Sequence, residues 1–313
     1  MKIKEGHRVV DIVVAGHGIR LAMPEHYDLL ACLPNFSAFI VDSLEESEVL
    51  MEVVLQEGDG PVLKGDRKIL TDISSAWENK FSLEELEEGY LVSIEGANKG
   101  TAWQMFASKD FYQITIYALG DELYNTTVLN WFLMMAYGQA ILQQDSVMIH
   151  ASVVERNAEA YAFLGKSGTG KSTHSGLWLQ HIEEVSLLND DNPVVRLESG
   201  EINIYGTPWS GKTKCYINKG VKLGAIVRLR QAEENRMRWI DGIHALTALM
   251  PSCTAMRWNM GLFNAMIGTA EKMIRDLPIG ELACLPNAEA ALLCHHEIIE
   301  HTYKNTSINL LKT

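Results

Sequence analysis

The feature that most constrains this chain is the run Gly-Lys-Ser-Gly-Thr-Gly-Lys-Ser at residues 165–172. It fits the pattern G-x-x-x-x-G-K-[ST], between an apolar strand candidate at 160–164 and a helix candidate at about 171–181. Glycines let the backbone turn so that successive N–H groups face one point, and the following helix aims its positive end at the same point. Such a cradle suits the phosphates of a nucleotide. Lys171 reaches the β- and γ-phosphates, and the Ser172 hydroxyl suits Mg²⁺. The residues expected to touch the nucleotide are Gly165, Ser167, Gly168, Thr169, Gly170, Lys171, Ser172 and Thr173. The fixed positions match by chance in about one chain in a hundred of this length, so the flanking strand and helix carry weight. The other reading is a glycine-rich turn that binds nothing.

A second feature lies after the predicted helix. Leu187-Leu188-Asn189-Asp190-Asp191 is an apolar strand ending in two carboxylates. A nucleotide–metal site needs such carboxylates to hold Mg²⁺ and to orient an attacking hydroxyl. Taken alone, a solvated Asp-Asp turn before Asn192-Pro193 is the simpler reading; beside the glycine loop the balance reverses.

The rest of the chain suggests two units. Its 313 residues suit one large or two ordinary domains. The net charge is −13, and residues 1–145, with 10 Lys/Arg and 23 Asp/Glu, carry all of it. This argues against a general nucleic-acid binder and makes an anion site easier to place in the second half. Strand candidates in the first half are 9–15, 36–41, 48–55, 90–95, 102–107 and 113–118, with a turn at 58–60. Ser82 and Glu85 resemble a capping box opening a short acidic helix, and 121–144 has helical periodicity. In the second half, 147–154 and 160–164 read as a β-hairpin. Strands follow at 185–188, 194–197, 201–205 and 222–228, then helices at 242–250, 258–275 and 287–300.

Five cysteines without CxxC spacing read as reduced thiols, and with no apolar leader or spanning segment the expectation is a cytoplasmic protein without membrane attachment. His295-His296 reads as a surface pair, since neighbouring residues on a helix diverge. His174 either lies near the nucleotide base or serves packing.

Ile149-His150, the glycine loop and the Asn-Asp-Asp strand together resemble the HPr kinase/phosphorylase family, over roughly residues 147–230. That family shares its nucleotide-binding fold with phosphoenolpyruvate carboxykinase. The segment Gly-Thr-Pro-Trp-Ser-Gly-Lys at 206–212 is similar to one in bacterial HPr-kinase-like proteins. The resemblance implies an α/β fold: a carboxykinase-like P-loop domain with a mixed sheet at 141–313, after a smaller, mostly β domain at 1–140. It implies ATP and Mg²⁺ as cofactors. It implies Lys171 on the phosphates, Asp190 as the base, His150 near the phosphates, and Ser172 and Asp191 on the metal. Glu201 matches a glutamate that opens a signature segment in the family, and is taken with the metal ligands. HPr kinases follow that glutamate with an Arg-Gly-rich stretch, where this chain has Ile-Asn-Ile-Tyr-Gly. The nucleotide chemistry therefore carries over better than HPr as acceptor. HPr kinases assemble as oligomers, which makes a homo-oligomer an expectation here.

Lys212 either faces the γ-phosphate or the acceptor, or belongs to a turn around a packed Trp209. Arg228 and Arg230 face the same cleft or solvent. The leading function is a kinase that transfers the γ-phosphoryl group to a hydroxyl, on a protein serine or a small molecule. The alternatives are a nucleotide-binding regulator or docking protein without catalysis, and a carboxykinase-type lyase.

Overall fold

The computed structural model describes residues 5–58, 60, 68–71, 81–98, 100–120 and 122–310. Asp59 of the expected 58–60 turn and Asp121 of the expected 121–144 helix lie outside them. The chain divides into two compact units. One comprises Met1–Gln143 and Ala255–Phe263, the other Gln144–Thr254 and Asn264–Thr313. Each is built on a mixed sheet with helices. Among the described residues, no helix is long and apolar enough to cross a membrane.

The first unit carries β1 (His7–Val14), β2 (His17–Pro24), the one-turn helix α1 (Leu29–Cys32), β3 (Ile40–Val41), β4 (Val49–Glu57), β5 (Lys68–Thr71), β6 (Phe81–Glu85), β7 (Gly89–Glu95), β8 (Ala102–Ser108), β9 (Gln113–Ala118) and α2 (Val128–Ala140). The strands form one sheet in the order β3-β1-β2-β4-β9-β8-β7-β6-β5. Trp103, Met105 and Ala107 of β8 point inward and alternate with less buried neighbours, the period of a strand with one buried face. The Tyr137 hydroxyl of α2 donates to the Val14 carbonyl at 2.8 Å.

Several expectations are corrected here. Ser82 and Glu85 do not open a helix; they lie in β6, because Phe81 and Leu83 bury with period two. Residues Pro34–Phe39 form a 3₁₀ helix, not a strand, with Pro34 in the first turn. Only Ile40–Val41 pairs, with β1. The helix expected over 121–144 is shorter, α2 followed by a 3₁₀ turn at Ile141–Gln143. Strand β2 was not foreseen, since Gly18, Arg20 and Pro24 break its apolar run. Asp11 lies opposite Arg20 across the β1–β2 ladder, and the two pair at 3.0 Å, which allows the arginine into a buried strand.

The second unit carries β10 (Ser146–Met148), β11 (Ala151–Arg156), β12 (Glu159–Leu164), α3 (Lys171–His181), β13 (Val185–Asn189), β14 (Val194–Glu198), β15 (Glu201–Tyr205), β16 (Gly220–Gln231), β17 (Arg236–Ile240), α4 (Gly242–Leu249), β18 (Ile279–Cys284) and α6 (Ala288–Leu310); α5 (Met260–Asp276) begins before Asn264. The main path of its sheet is β10-β14-β15-β16-β12-β11-β13. Strand β18 joins the far half of β16 in parallel, and β17 pairs with β18. Phe163, Val227, Leu229 and Leu282 of the sheet bury against Trp178 of α3 and Cys294 and Ile298 of α6. Strands β17 and β18 escaped the sequence reading, because Arg236, Arg238 and Glu281 interrupt their apolar pattern.

The strand expected over 147–154 is two strands. Ile149 and His150 fall between β10 and β11, where the Ile149 N–H donates to the Pro193 carbonyl and the His150 N–H to that of Ser252. The hairpin of β11 and β12 is present, turning at Asn157-Ala158 with φ of 53° and 62°. Both values are left-handed, as a two-residue turn between twisted strands requires, and an alanine is strained there. Replacing Ala158→Gly is therefore expected to raise stability by about 0.5–1 kcal/mol, read from the urea midpoint. An unchanged or lower midpoint would contradict this turn geometry.

Candidate functional site

Residues 165–170 leave the buried end of β12 and enter α3 directly. Gly168 and Gly170 hold φ of 80° and 106°, where a side chain is strained. Gly170 is the N-cap of α3, and no side chain caps that end. The first-turn N–H groups of α3 thus lack an intrahelical acceptor, and the helix dipole adds to their pull on an anion. Ser172 and Thr173 are exposed in that turn.

Lys171 turns back into the loop. Its Nζ donates to the Gly165 carbonyl at 3.0 Å and lies 2.8 Å from His150 Nε2. The other His150 nitrogen, Nδ1, meets Asp191 Oδ1 at 2.9 Å. Lysine, imidazole and carboxylate therefore form one chain, and His150 occupies the break between β10 and β11 that delivers it there. Burial lowers the Lys171 ammonium below its ordinary pKa, against the opposing pull of Asp191 and then Asp190.

The carboxylates stand at the end of β13. Asn189 shapes their turn: its Oδ1 accepts from the N–H groups of Asp191 and Asn192, each at 3.0 Å. Asp191 is one-third exposed and takes a further bond from the Asn192 amide at 2.9 Å. Asp190 is only 5% exposed. The Ser152 hydroxyl donates to its Oδ1 at 2.7 Å and shares a 2.6 Å contact with Ser175 of α3. Asp190 Oδ2 is buried and has no hydrogen-bond partner among the described residues.

The segment 206–212 packs on this turn. Thr207 Oγ1 donates to the Asn192 carbonyl at 2.8 Å, and the Asn192 N–H donates to the Trp209 carbonyl at 3.2 Å. A Cβ on Gly211 would come within 2.9 Å of the Asp190 carbonyl, so only glycine fits against the pair. Lys212 follows Gly211 and is exposed, while Trp209 is buried.

Glu201 is not brought to this cluster. It opens β15 at the turn end of the β14–β15 hairpin, opposite Glu198, whereas Tyr205 lies opposite Val194 at the end that adjoins Asn192. Four residues of strand, about 13 Å at roughly 3.3 Å per residue, separate the two ends. Glu201 therefore cannot share one metal ion with Ser172 and Asp191, a correction to the expected ligand set. Among the described residues, no three His, Cys, Asp or Glu side chains group to hold a metal.

A cleft of about 410 Å³ opens beside the loop on the α3 side. Gly168, Gly170 and Thr173 form one wall, and Leu177, Leu229, Leu285 and Pro286 make it largely apolar. Gln231 borders it and donates to the Gly168 carbonyl at 3.3 Å. His174 lies at its floor, packed edge-on against Phe163, and its Nε2 accepts from Trp178 Nε1 at 3.1 Å. His295, expected on the surface, is half-buried edge-on against Trp178, while His296 is exposed.

Sequence reasoning missed Ser152, Ser175 and Gln231, which position the site, because their partners are distant along the chain; Thr207 stood inside the noted 206–212 segment without a role of its own. Asn189 did stand inside the noted Asn-Asp-Asp run, and an Asn before a turn is the available signal.

No family model matches the chain, and no curated protein matches it. Among solved structures the chain is similar to the Hpr(Ser) kinase/phosphatase from Coxiella burnetii, at 12% identity, over 52% of this chain and 94% of that one, with a TM-score of 0.33.

Burial pushes His174 down from its ordinary 6.5 to about 4, so it is neutral in the folded chain. Unfolding restores a basic imidazole, so between pH 6.5 and 4 the unfolded chain binds more protons and acid destabilises the fold. Replacing His174→Gln, which keeps an acceptor for Trp178, is expected to flatten the fall in Tm across that window. A Tm profile with the wild-type slope would exclude His174 as the acid-sensitive group.

Proposed function

We propose that this chain binds a nucleoside triphosphate with Mg²⁺ on the 165–172 loop and transfers the γ-phosphoryl group to a hydroxyl, as an HPr-kinase-like enzyme with a carboxykinase-like P-loop unit. The observation that carries this reading is Asp190. A buried carboxylate with one oxygen unpartnered is costly, and a fold keeps it where a ligand supplies the missing donor. A substrate hydroxyl fits that need, and Asp190 is then placed to take its proton.

The other residues fit the same chemistry. Gly165, Ser167, Gly168, Thr169 and Gly170 cradle the phosphates with the first turn of α3, and the apolar cleft beside them takes the nucleoside. Lys171, now held by the Gly165 carbonyl and His150, transfers to the β- and γ-phosphates, where its charge offsets theirs. His150 holds Lys171 and Asp191 in one line. Lys212 provides a second cation at the transferred group. Ser172 and Asp191 would hold Mg²⁺, which would supply positive charge to neutralise the phosphates.

Calorimetry with ATP and Mg²⁺ tests the proposal. Wild type is expected to bind. Lys171→Ala is expected to weaken binding by about tenfold or more through loss of a charged phosphate contact. Asp190→Asn is expected to bind with little change while ATP turnover falls by about a hundredfold or more, the range for loss of a general base. Wild type that binds no nucleotide would sink the proposal. Wild-type turnover in Asp190→Asn would remove Asp190 as the base.

A further inference from the structure

One face of the second unit's sheet bears on the acceptor. Across β16, β18 and β17 the register sets Arg228, Glu281 and Arg238 in one row, and Arg230, Ala283 and Arg236 in the next. Residues directly opposite one another in a sheet share a face. Four arginines and one glutamate therefore stand together, on the face opposite Leu229 and Leu282, which bury against α3 and α6; Glu233 and Glu234 of the β16–β17 turn line the cleft beside Arg230 and Arg236, so the arginines exceed the surrounding carboxylates by one. This concentration of positive charge belongs to a chain with a net charge of −13.

The two rows differ in their partners. Arg228 Nη1 donates to the Ala248 carbonyl at 2.6 Å, and Arg238 Nε to Glu281 at 2.8 Å. Arg230 and Arg236 are exposed, and their side chains make no hydrogen bond or ion pair with another described residue. The small Ala283 between them leaves a hollow of about 250 Å³ bounded by Arg230, Arg236, Arg238 and Glu281. An adjoining open cleft joins Arg228 and Arg230 to Lys166, Ser167, Gly168 and Thr169 of the loop. The loop is thus bordered from both faces of the sheet: an apolar cleft with the α3 and α6 helices, an arginine-lined one on the other side.

Strand order gives the scale. Arg230 on β16 and Asp190 after β13 are separated by three strand steps, and Arg236 on β17 by five. Asp190 bonds Ser152 on the α3 side of the sheet, so a ligand joining it to the arginines rounds the strand ends, and at roughly 4.8 Å per step the lateral part of that path is about 14 and 24 Å. A small metabolite does not reach across such a span. An extended peptide covers it in about four to seven residues.

We propose that the acceptor hydroxyl belongs to a peptide segment with carboxylates about four to seven residues from it, docked on this arginine face. The proposal rests on the kinase reading of the 165–172 loop. In the transfer, the bond from the γ-phosphorus to the oxygen bridging the β-phosphate breaks. A bond from that phosphorus to the peptide hydroxyl oxygen forms, the hydroxyl proton passes to Asp190, and the nucleoside diphosphate leaves.

The test uses the full chain and two fluorescent peptides. One has a single serine and a glutamate run about four to seven residues from it; the other has glutamine in place of glutamate. Anisotropy, with and without a non-hydrolysable ATP analogue and Mg²⁺, is expected to show the glutamate peptide binding about tenfold tighter or more, with an affinity that falls as salt rises. The double change Arg230→Gln and Arg236→Gln is expected to remove that preference while the affinity for the ATP analogue stays at the wild-type value. Ala283→Leu, which fills the hollow without changing charge, is expected to weaken the glutamate peptide as well. Equal binding of the two peptides overturns the proposal. So does a double variant that loses nucleotide affinity instead, which would make the arginines part of the nucleotide site. Displacement of the peptide by glycerol 3-phosphate at comparable concentration overturns it in favour of a small phosphorylated acceptor. Failure of the kinase reading shows separately, as absent binding of the ATP analogue to wild type.

Discussion

Strand β12 is held on both sides, antiparallel to β11 and parallel to β16, and everything at the candidate site is positioned from its buried end. A strand so paired cannot slip without moving its apolar residues off the core face, so the point where the chain leaves it is fixed. The glycine loop starts there, and α3 follows with its uncapped end toward the loop. Strand β11 brings Ser152 and, just before it, His150. Strand β13, paired to β11, brings Asp190 and Asp191. Strand β16 brings Gln231 to the loop from the other side, where it donates to the Gly168 carbonyl.

The electrostatics of the site follow from this convergence. Lys171 is partly desolvated and offset by two aspartates, one exposed enough to meet water and one buried. The pair differs by environment and not by residue type. Asp191 is engaged by His150 and Asn192. Asp190 has a single donor and a bare oxygen. The same residue type thus stands in two different settings, one partly open to solvent and one closed.

What was legible in the sequence was local. The loop 165–172, the helix after it, the hairpin before it and the Asp pair each occupy a short stretch with a defined backbone requirement. Elements were lost where a buried or paired charge broke the apolar pattern. Arg20 hid β2, and Arg236, Arg238 and Glu281 hid β17 and β18. The reading also erred where a polar pattern fitted two structures. Ser82 and Glu85 have the spacing of a capping box, yet Phe81 and Leu83 bury as strand residues.

The sequence by itself determined the glycine-permitted backbone of residues 165–172 and the presence of two adjacent carboxylates, because backbone freedom and residue type are encoded position by position. Only the tertiary structure decided which groups meet. It set His150 between Lys171 and Asp191, gave Asp190 its serine and its unpartnered oxygen, and moved Glu201 to the far end of a hairpin. It also gathered arginines from two separated strands onto one face. Those relations depend on strand order and register, which arise from pairing between distant segments and leave no trace in local composition.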